Sequence, residues 1–130
     1  MKNYLKNITI FHRDRKTINH KILIIGRGRW SQIIINELNT NFPNIEKIFV
    51  FSPKFKQEKS KNKKIIFINS LDLLKKQNIK YIIIANKNSD HFKFAKLFLK
   101  NKNNVLCEKP LVVKKNKLLN LERRIKKNKC

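Results

Sequence analysis

From residue 21 onward the chain alternates short apolar runs with segments of helical period. Residues 21–25 are a short apolar run rich in β-branched side chains and predict a buried strand; 46–51, 65–68, 81–85 and the short 105–107 predict four more. Between them, residues 30–39 place Ile33, Ile34 and Leu38 on one helical face. Leu71, Leu73 and Leu74 follow a capping Asn69 or Ser70 and predict a second helix. Residues 91–100 carry Phe94, Ala95, Phe98 and Leu99 at helical spacing, and residues 115–127 predict a last, basic helix. Pro43 and Asn44 interrupt the first helix, a Lys-rich polar loop spans 52–64, a loop spans 86–90, and 108–110 form a turn. Strands that read as continuous apolar runs and alternate with helices predict an α/β fold: one doubly wound parallel sheet covered on both faces. Right-handed crossovers bring the loops after strands one, two, four and five to one edge, where such sheets bind ligands. The predicted domain is 21–130. Residues 1–20 are a basic N-terminal extension whose β-like patch, Ile8 to Phe11, reads as an added edge strand or part of a disordered arm.

The placement of glycine sharpens this picture. The chain has only two, Gly26 and Gly28, and both follow the first strand in Gly26-Arg27-Gly28-Arg29-Trp30-Ser31. A strand, a glycine loop and a helix start make a cradle for phosphate: Gly26 for the tight turn, Gly28 for close approach of backbone to a pyrophosphate at the helix N-terminus. Arg29 and Trp30, which open the helix, join them as candidate cofactor-binding residues. Ser31 stands where a third glycine is usual, small enough to pack helix on strand. A plain strand-to-helix turn is the other reading. Methyltransferases also carry a glycine loop here, but their first strand ends in an acidic residue, and Ile24-Ile25 supplies none. The second strand ends at Ser52-Pro53-Lys54, where an NAD-binding domain places a carboxylate on the ribose hydroxyls. Ser52 with Lys54 or Lys56 suits a 2′-phosphate instead, so NADP(H) is expected over NAD(H), unless these are only loop residues in a Lys-rich chain.

Charge adds less than its size implies. The formal net charge is +24, a balance that in other chains marks a nucleic-acid footprint. Here Lys supplies 26 of the 32 basic residues and Arg, the better phosphate fork, only 6. The excess is spread along the whole chain beside abundant Ile, Asn and Phe, as codon bias in an AT-rich genome produces. It reads as solvated faces, with a general attraction for anions that salt weakens. Cys107 and Cys130 give neither metal spacing nor a disulfide framework; Cys107 reads as a small buried hydrophobe and Cys130 as a frayed end. No metal site is expected. No apolar run approaches the roughly 20 residues of a membrane span, and no secretion signal opens the chain, so a soluble cytoplasmic protein is expected.

The last two strands carry a more specific likeness. Tyr81-Ile-Ile-Ile-Ala85-Asn86-Lys-Asn88-Ser-Asp-His91 leads through Ala95 and Leu99 to Asn104-Val-Leu-Cys-Glu108-Lys109-Pro110-Leu111. With the Gly-x-Gly-x-Trp start, about residues 21–128 resemble the nucleotide domain of the Gfo/Idh/MocA family of NAD(P)-dependent oxidoreductases. The resemblance implies a Rossmann-like fold and a dinucleotide cofactor. It implies that Lys109 sits beside nicotinamide and substrate and relays a proton, a catalytic role. A lysine beside a proline turn and a glutamate is well held, and burial there would suit it to acid–base work. Glu108 would reach the cofactor ribose or anchor its loop, Pro110 would follow a cis bond, and Asn86 and His91 would line the loop over the cofactor. His91 also reads as a helix-start residue packed on that loop.

Family members continue into a second α/β domain that supplies most of the substrate pocket. Hydride transfer needs donor, acceptor and proton relay held in one closed site. The expectation is therefore cofactor binding, with turnover on a sugar-like or other small carbonyl or hydroxyl substrate only when a further domain or chain, in a homo- or hetero-oligomer, completes the site. A non-catalytic nucleotide-binding module is the first alternative, and a basic nucleic-acid binder the second, which lacks Arg and aromatic clustering.

Overall fold

The computed structural model describes residues 20–54, 60–112 and 114–128. The expected arm before His20, with its Ile8 to Phe11 patch, and Lys56 and Cys130 lie outside the described residues. The order is β1 (His20–Ile25), α1 (Arg29–Asn41), β2 (Ile45–Phe51), β3 (Ile65–Ile68), a 3-10 turn (Leu71–Leu74), β4 (Tyr81–Ile84), α2 (Asn88–Lys100), β5 (Asn104–Cys107) and α3 (Lys115–Asn128). The five strands form one parallel sheet in the order β3-β2-β1-β4-β5. The chain leaves β1 to one side, returns, and builds the other half, so the switch point falls between β1 and β4.

Strand alternation divides the apolar residues between two layers. Ile22 and Ile24 of β1, with Ile45, Ile48 and Val50 of β2, face α1 and pack on Ile35 and Leu38. Leu23, Ile25, Phe49, Phe51, Ile82 and Ile84 face the opposite side, under Phe94, Ala95, Phe98 and Leu99 of α2 and Leu121 of α3. Ile24, Ile48 and Ile84 are fully buried. Each such side chain contributes on the order of 1.5–3 kcal/mol through burial, which holds β1 at the sheet centre.

Three local expectations are corrected. Ile33 was placed on the buried face of the first helix, but it is 48% exposed, while Ser31, Ile35 and Leu38 are buried. Those three recur at helical spacing, and Ile33 points the other way. The helix expected at Leu71 is one 3-10 turn, Leu71–Leu74, with Ser70 Oγ accepting from Asp72 N–H at 3.2 Å. Only six residues separate it from β4, so Leu71 and Leu74 cover the core without room for a longer helix. The third helix starts at Asn88, inside the expected loop. Asn, Ser and Asp read as loop formers but equally favour a helix start, and Asp90 in the first turn favours the positive end of the dipole.

Candidate functional site

At the carboxyl edge the hydrogen-bond ladder runs on past the strands and laces the loops together. Gly26 N–H donates to Phe51 O (2.9 Å), Ser52 N–H to Ile68 O (3.0 Å), Ala85 N–H to Ile25 O (2.9 Å) and Glu108 N–H to Ile84 O (2.8 Å). The four loops expected at this edge are thus held side by side in the order β2, β1, β4, β5.

The two glycines differ in kind. Gly26 has φ +117°, and a Cβ there would lie 2.7 Å from Ala85 O and 2.9 Å from Asn86 Cα. It is required by conformation and by close approach of the β4 loop. Gly28 is extended, with φ −76° and ψ −176°, a conformation any residue adopts. Among the described residues, no atom beyond its own chain neighbours lies within 4 Å of where its Cβ would stand. Gly28 therefore keeps clear a space that the described residues do not fill.

That space adjoins the start of α1, which has no side-chain cap and no acidic residue in its first turn. Its first N–H groups and the positive end of its dipole face a position suited to an anion. Ser31 is buried and its Oγ donates to Ala85 O at 3.1 Å, tying α1 to the end of β4. Arg29 is exposed, and Trp30 is 59% exposed beside the loop.

Arg27, which was not singled out from the sequence, turns toward β3. Its guanidinium carbon lies 4.3 Å from the centroid of the Phe67 ring. At the end of β2, Ser52 is half-buried and Lys54 is exposed.

In the β4 loop, Asn86 Oδ1 is buried without a hydrogen-bond partner. A buried acceptor left open at this edge is free to take a donor from a water or a ligand. His91 is fully buried and bridges two loops, its Nδ1 at 2.9 Å from Pro110 O and its Nε2 at 3.0 Å from Asn86 O. Both partners are acceptors, so a neutral ring donates to one of them and only the doubly protonated ring donates to both. His91 thus fixes the Asn86 loop against the Glu108-Lys109-Pro110 turn. In that turn Glu108 is half-buried, Lys109 and Pro110 are exposed, and the Lys109–Pro110 peptide is cis. The burial invoked for Lys109 is not supplied by the described residues. Cys107, just before it, has its thiol pushed up to about 11 by burial and then by the Glu108 charge. Among the described residues no three His, Cys, Asp or Glu side chains cluster to hold a metal, and no helix is long and apolar enough to cross a membrane.

An open cradle at Gly28, an uncapped helix start and the orphaned Asn86 Oδ1 fit a dinucleotide. Fold and edge together define a Rossmann dinucleotide-binding domain. The Gfo/Idh/MocA model, described as an oxidoreductase family with an NAD-binding Rossmann fold, matches residues 20–130, so the chain belongs to that family. No curated protein matches the chain. Among solved structures, an oxidoreductase from Bacteroides fragilis, described there only as a putative one, is 19% identical with a TM-score of 0.71, over 85% of this chain and 35% of that one. A scyllo-inositol dehydrogenase from Lactobacillus casei with bound NAD(H) and scyllo-inositol is 16% identical with a TM-score of 0.67, over 85% and 34%. A myo-inositol dehydrogenase from Corynebacterium glutamicum is 19% identical with a TM-score of 0.70, over 85% and 34%. The chain spans about a third of the length of these structures.

Proposed function

We propose that the chain is the nucleotide half of a hydride-transferring oxidoreductase, that it prefers NADP(H), and that it acts on a small polyol or its ketone. The observation that carries the cofactor reading is Gly28: its backbone does not need glycine, yet a side chain there would fill the open space at an uncapped helix start. The preference for a 2′-phosphate is supported by Ser52 and the exposed Lys54 at the end of β2, where no carboxylate stands to accept from ribose hydroxyls. The substrate class is supported by the two inositol dehydrogenases among the structural relatives.

The reduced nicotinamide, when bound, supplies the hydride. The chain's own residues do the rest of what this half can do. The N–H groups at the start of α1 with Gly26 and Gly28 would hold the pyrophosphate; Arg29 would add charge there, and Trp30 opens the same helix beside it in sequence. Asn86 Oδ1 accepts from a donor on the nicotinamide side. Glu108 keeps its turn in register with β4 through its N–H on Ile84 O. His91 sets the Asn86 and Pro110 loops at a fixed spacing, and Lys109, in the turn just before Pro110, would deliver a proton from Nζ to the substrate oxygen as the carbonyl becomes an alcohol. The second wall of the substrate pocket comes from outside the described residues, in a further domain or a partner chain. The exposure of Lys109 favours one second reading, a module that holds the nucleotide without turning it over.

Calorimetric titration with NADPH, NADH and inorganic triphosphate at matched ionic strength tests the cofactor reading. Saturable one-to-one binding of NADPH, tighter than NADH, is the expected result. Equal, salt-sensitive uptake of all three would reduce it to the general attraction of a +24 chain for anions.

A further inference from the structure

We propose that His91 is a positioning residue for the nucleotide edge: its ring takes up a second proton from solvent as the cofactor binds, and that proton locks the Asn86 loop and the Glu108-Lys109-Pro110 turn to each other. This rests on the cofactor reading above and adds a control of that site by protons.

His91 is fully buried in the first turn of α2, and both its ring nitrogens meet backbone carbonyl oxygens, Nδ1 at 2.9 Å from Pro110 O and Nε2 at 3.0 Å from Asn86 O. A carbonyl only accepts. A neutral ring has one N–H, so it donates to one loop and turns a lone pair on the carbonyl of the other. Its two tautomers are therefore two arrangements of the edge, each with one loop held and one released. The doubly protonated ring holds both loops, through charge-assisted bonds of the stronger kind. Burial opposes that charge, and the two carbonyl dipoles favour it. The nucleotide tips this balance, because its pyrophosphate brings negative charge to the edge the ring supports. The loop that His91 grips lies against the glycine turn, where a Cβ on Gly26 would stand 2.9 Å from Asn86 Cα. The same loop carries the buried, unpartnered Asn86 Oδ1.

Imidazole is the side chain whose charge ordinarily changes near neutral pH, and the neighbouring ionisable groups are of other types. The helix start carries Lys87 and Asp90, paired at 3.7 Å, and Lys93, whose ammonium stands 5.7 Å from the centroid of the Phe94 ring. The β4 loop contributes the uncharged Asn86. The turn after β5 carries Glu108 and Lys109, and α3 sends Lys117 to 5.1 Å from the centroid of the Phe92 ring. The Cys107 thiol, pushed up to about 11 by burial and the Glu108 charge, stays neutral there. The other imidazole among the described residues, His20, packs on Tyr81 at the amino end of β1, the opposite edge of the sheet. A proton taken up at the nucleotide edge near neutral pH is therefore assigned to His91.

The test is calorimetric titration of the full chain and of H91Q with NADPH in buffers of different ionisation enthalpy, which counts the protons bound with the nucleotide. Glutamine keeps a donor and takes no second proton. The 2′-phosphate of NADPH exchanges protons in the same range, but it does so with both chains, so the difference between them is the share of His91. The expected difference is about half a proton or more near neutral pH. NADPH affinity should accordingly rise about threefold or more from about pH 8 to about pH 6 in wild type relative to H91Q. Nitrogen-resolved NMR of the wild-type chain should show the His91 ring gaining its second proton on NADPH binding. The chain has three histidines, so H12Q and H20Q identify the His91 signals even where H91Q does not fold. Proton uptake equal in wild type and H91Q, or a His91 ring whose protonation is the same free and bound, overturns the proposal while leaving the cofactor reading intact. A folded wild-type chain that binds neither NADPH nor NADH overturns the cofactor reading itself.

Discussion

Replacing each glycine by alanine separates a residue the fold needs from one the ligand needs. At Gly26 the backbone φ of +117° is unfavourable for any residue with a Cβ, a cost of about 1–3 kcal/mol. The new methyl would also stand 2.7 Å from Ala85 O, an atom that cannot retreat freely. It belongs to a residue whose N–H is bonded to Ile25 O, and it accepts the buried Ser31 hydroxyl. Overpacking against fixed backbone adds about 1 kcal/mol or more. Gly26→Ala should therefore cost about 2–4 kcal/mol in total and lower the melting temperature by roughly 10 °C. Gly28→Ala meets no atom of the described residues within 4 Å, its chain neighbours aside, and keeps an ordinary extended backbone. Lower entropy of the unfolded chain offers about 0.4–1 kcal/mol, and the poorer capping tendency of alanine removes a similar amount. Its net change should stay within about 1 kcal/mol, while its methyl occupies the cradle and weakens NADPH binding about tenfold or more. Thermal denaturation by circular dichroism, with calorimetric NADPH titration of the folded variants, measures both. A Gly28→Ala chain as unstable as Gly26→Ala, or one that binds NADPH as wild type does, would refute the reasoning.

Three further outcomes are expected. Asn86→Ala removes a buried acceptor that has no partner, so it should leave the stability of the free chain within about 1 kcal/mol in urea denaturation yet weaken NADPH binding several-fold. Ser31→Ala removes the buried bond to Ala85 O and should cost about 1–2 kcal/mol by the same measurement, with nucleotide affinity nearly kept. Cys107 should resist iodoacetamide at pH 8 in a Cys130→Ser background, because its thiol is pushed up to about 11 by burial and Glu108. Its raised value makes the folded state favour the neutral thiol. The stability this contributes is present below the unfolded value of 9.0 and is lost as pH rises through about 11.

The sheet was legible because its central strands β1 and β2 are buried on both faces and read as runs of Ile, Leu, Val and Phe, while the edge strand β5 leaves Leu106 exposed. Five runs in the sequence are five strands in the fold, with ends shifted by one residue where the ladder continues. Gly26 and Gly28 were legible as a pair, but not as different in kind. Only the φ of Gly26 and the atoms around each Cβ position distinguish the turn from the cradle. Ser31 was read as a small packing residue, and its bond to Ala85 O needs β4 to lie beside β1, a fact of topology rather than of local pattern. Arg27 was missed for the same reason: between two glycines it carries no signal of its direction until Phe67 of β3 is in place. His91 was read against the helix start and the cofactor loop. Its grip on Pro110 joins residues 19 positions apart, beyond any periodicity. The early start of α2 was hidden because Asn, Ser and Asp favour loops and helix starts alike, and the 3-10 turn because helical spacing at Leu71–Leu74 does not show that the six residues before β4 leave no room for a longer helix.

The glycine loop and the start of α1 are where a dinucleotide is held. Trp30 reports on it directly: it is the only tryptophan in the chain, the second residue of α1, and 59% exposed. A titration of its fluorescence with NADPH at fixed ionic strength should show saturable quenching with energy transfer to the reduced nicotinamide, reversed by NADP+ and absent with inorganic triphosphate. A folded chain whose Trp30 emission is unmoved by NADPH and NADH, or moved equally by triphosphate, would contradict it.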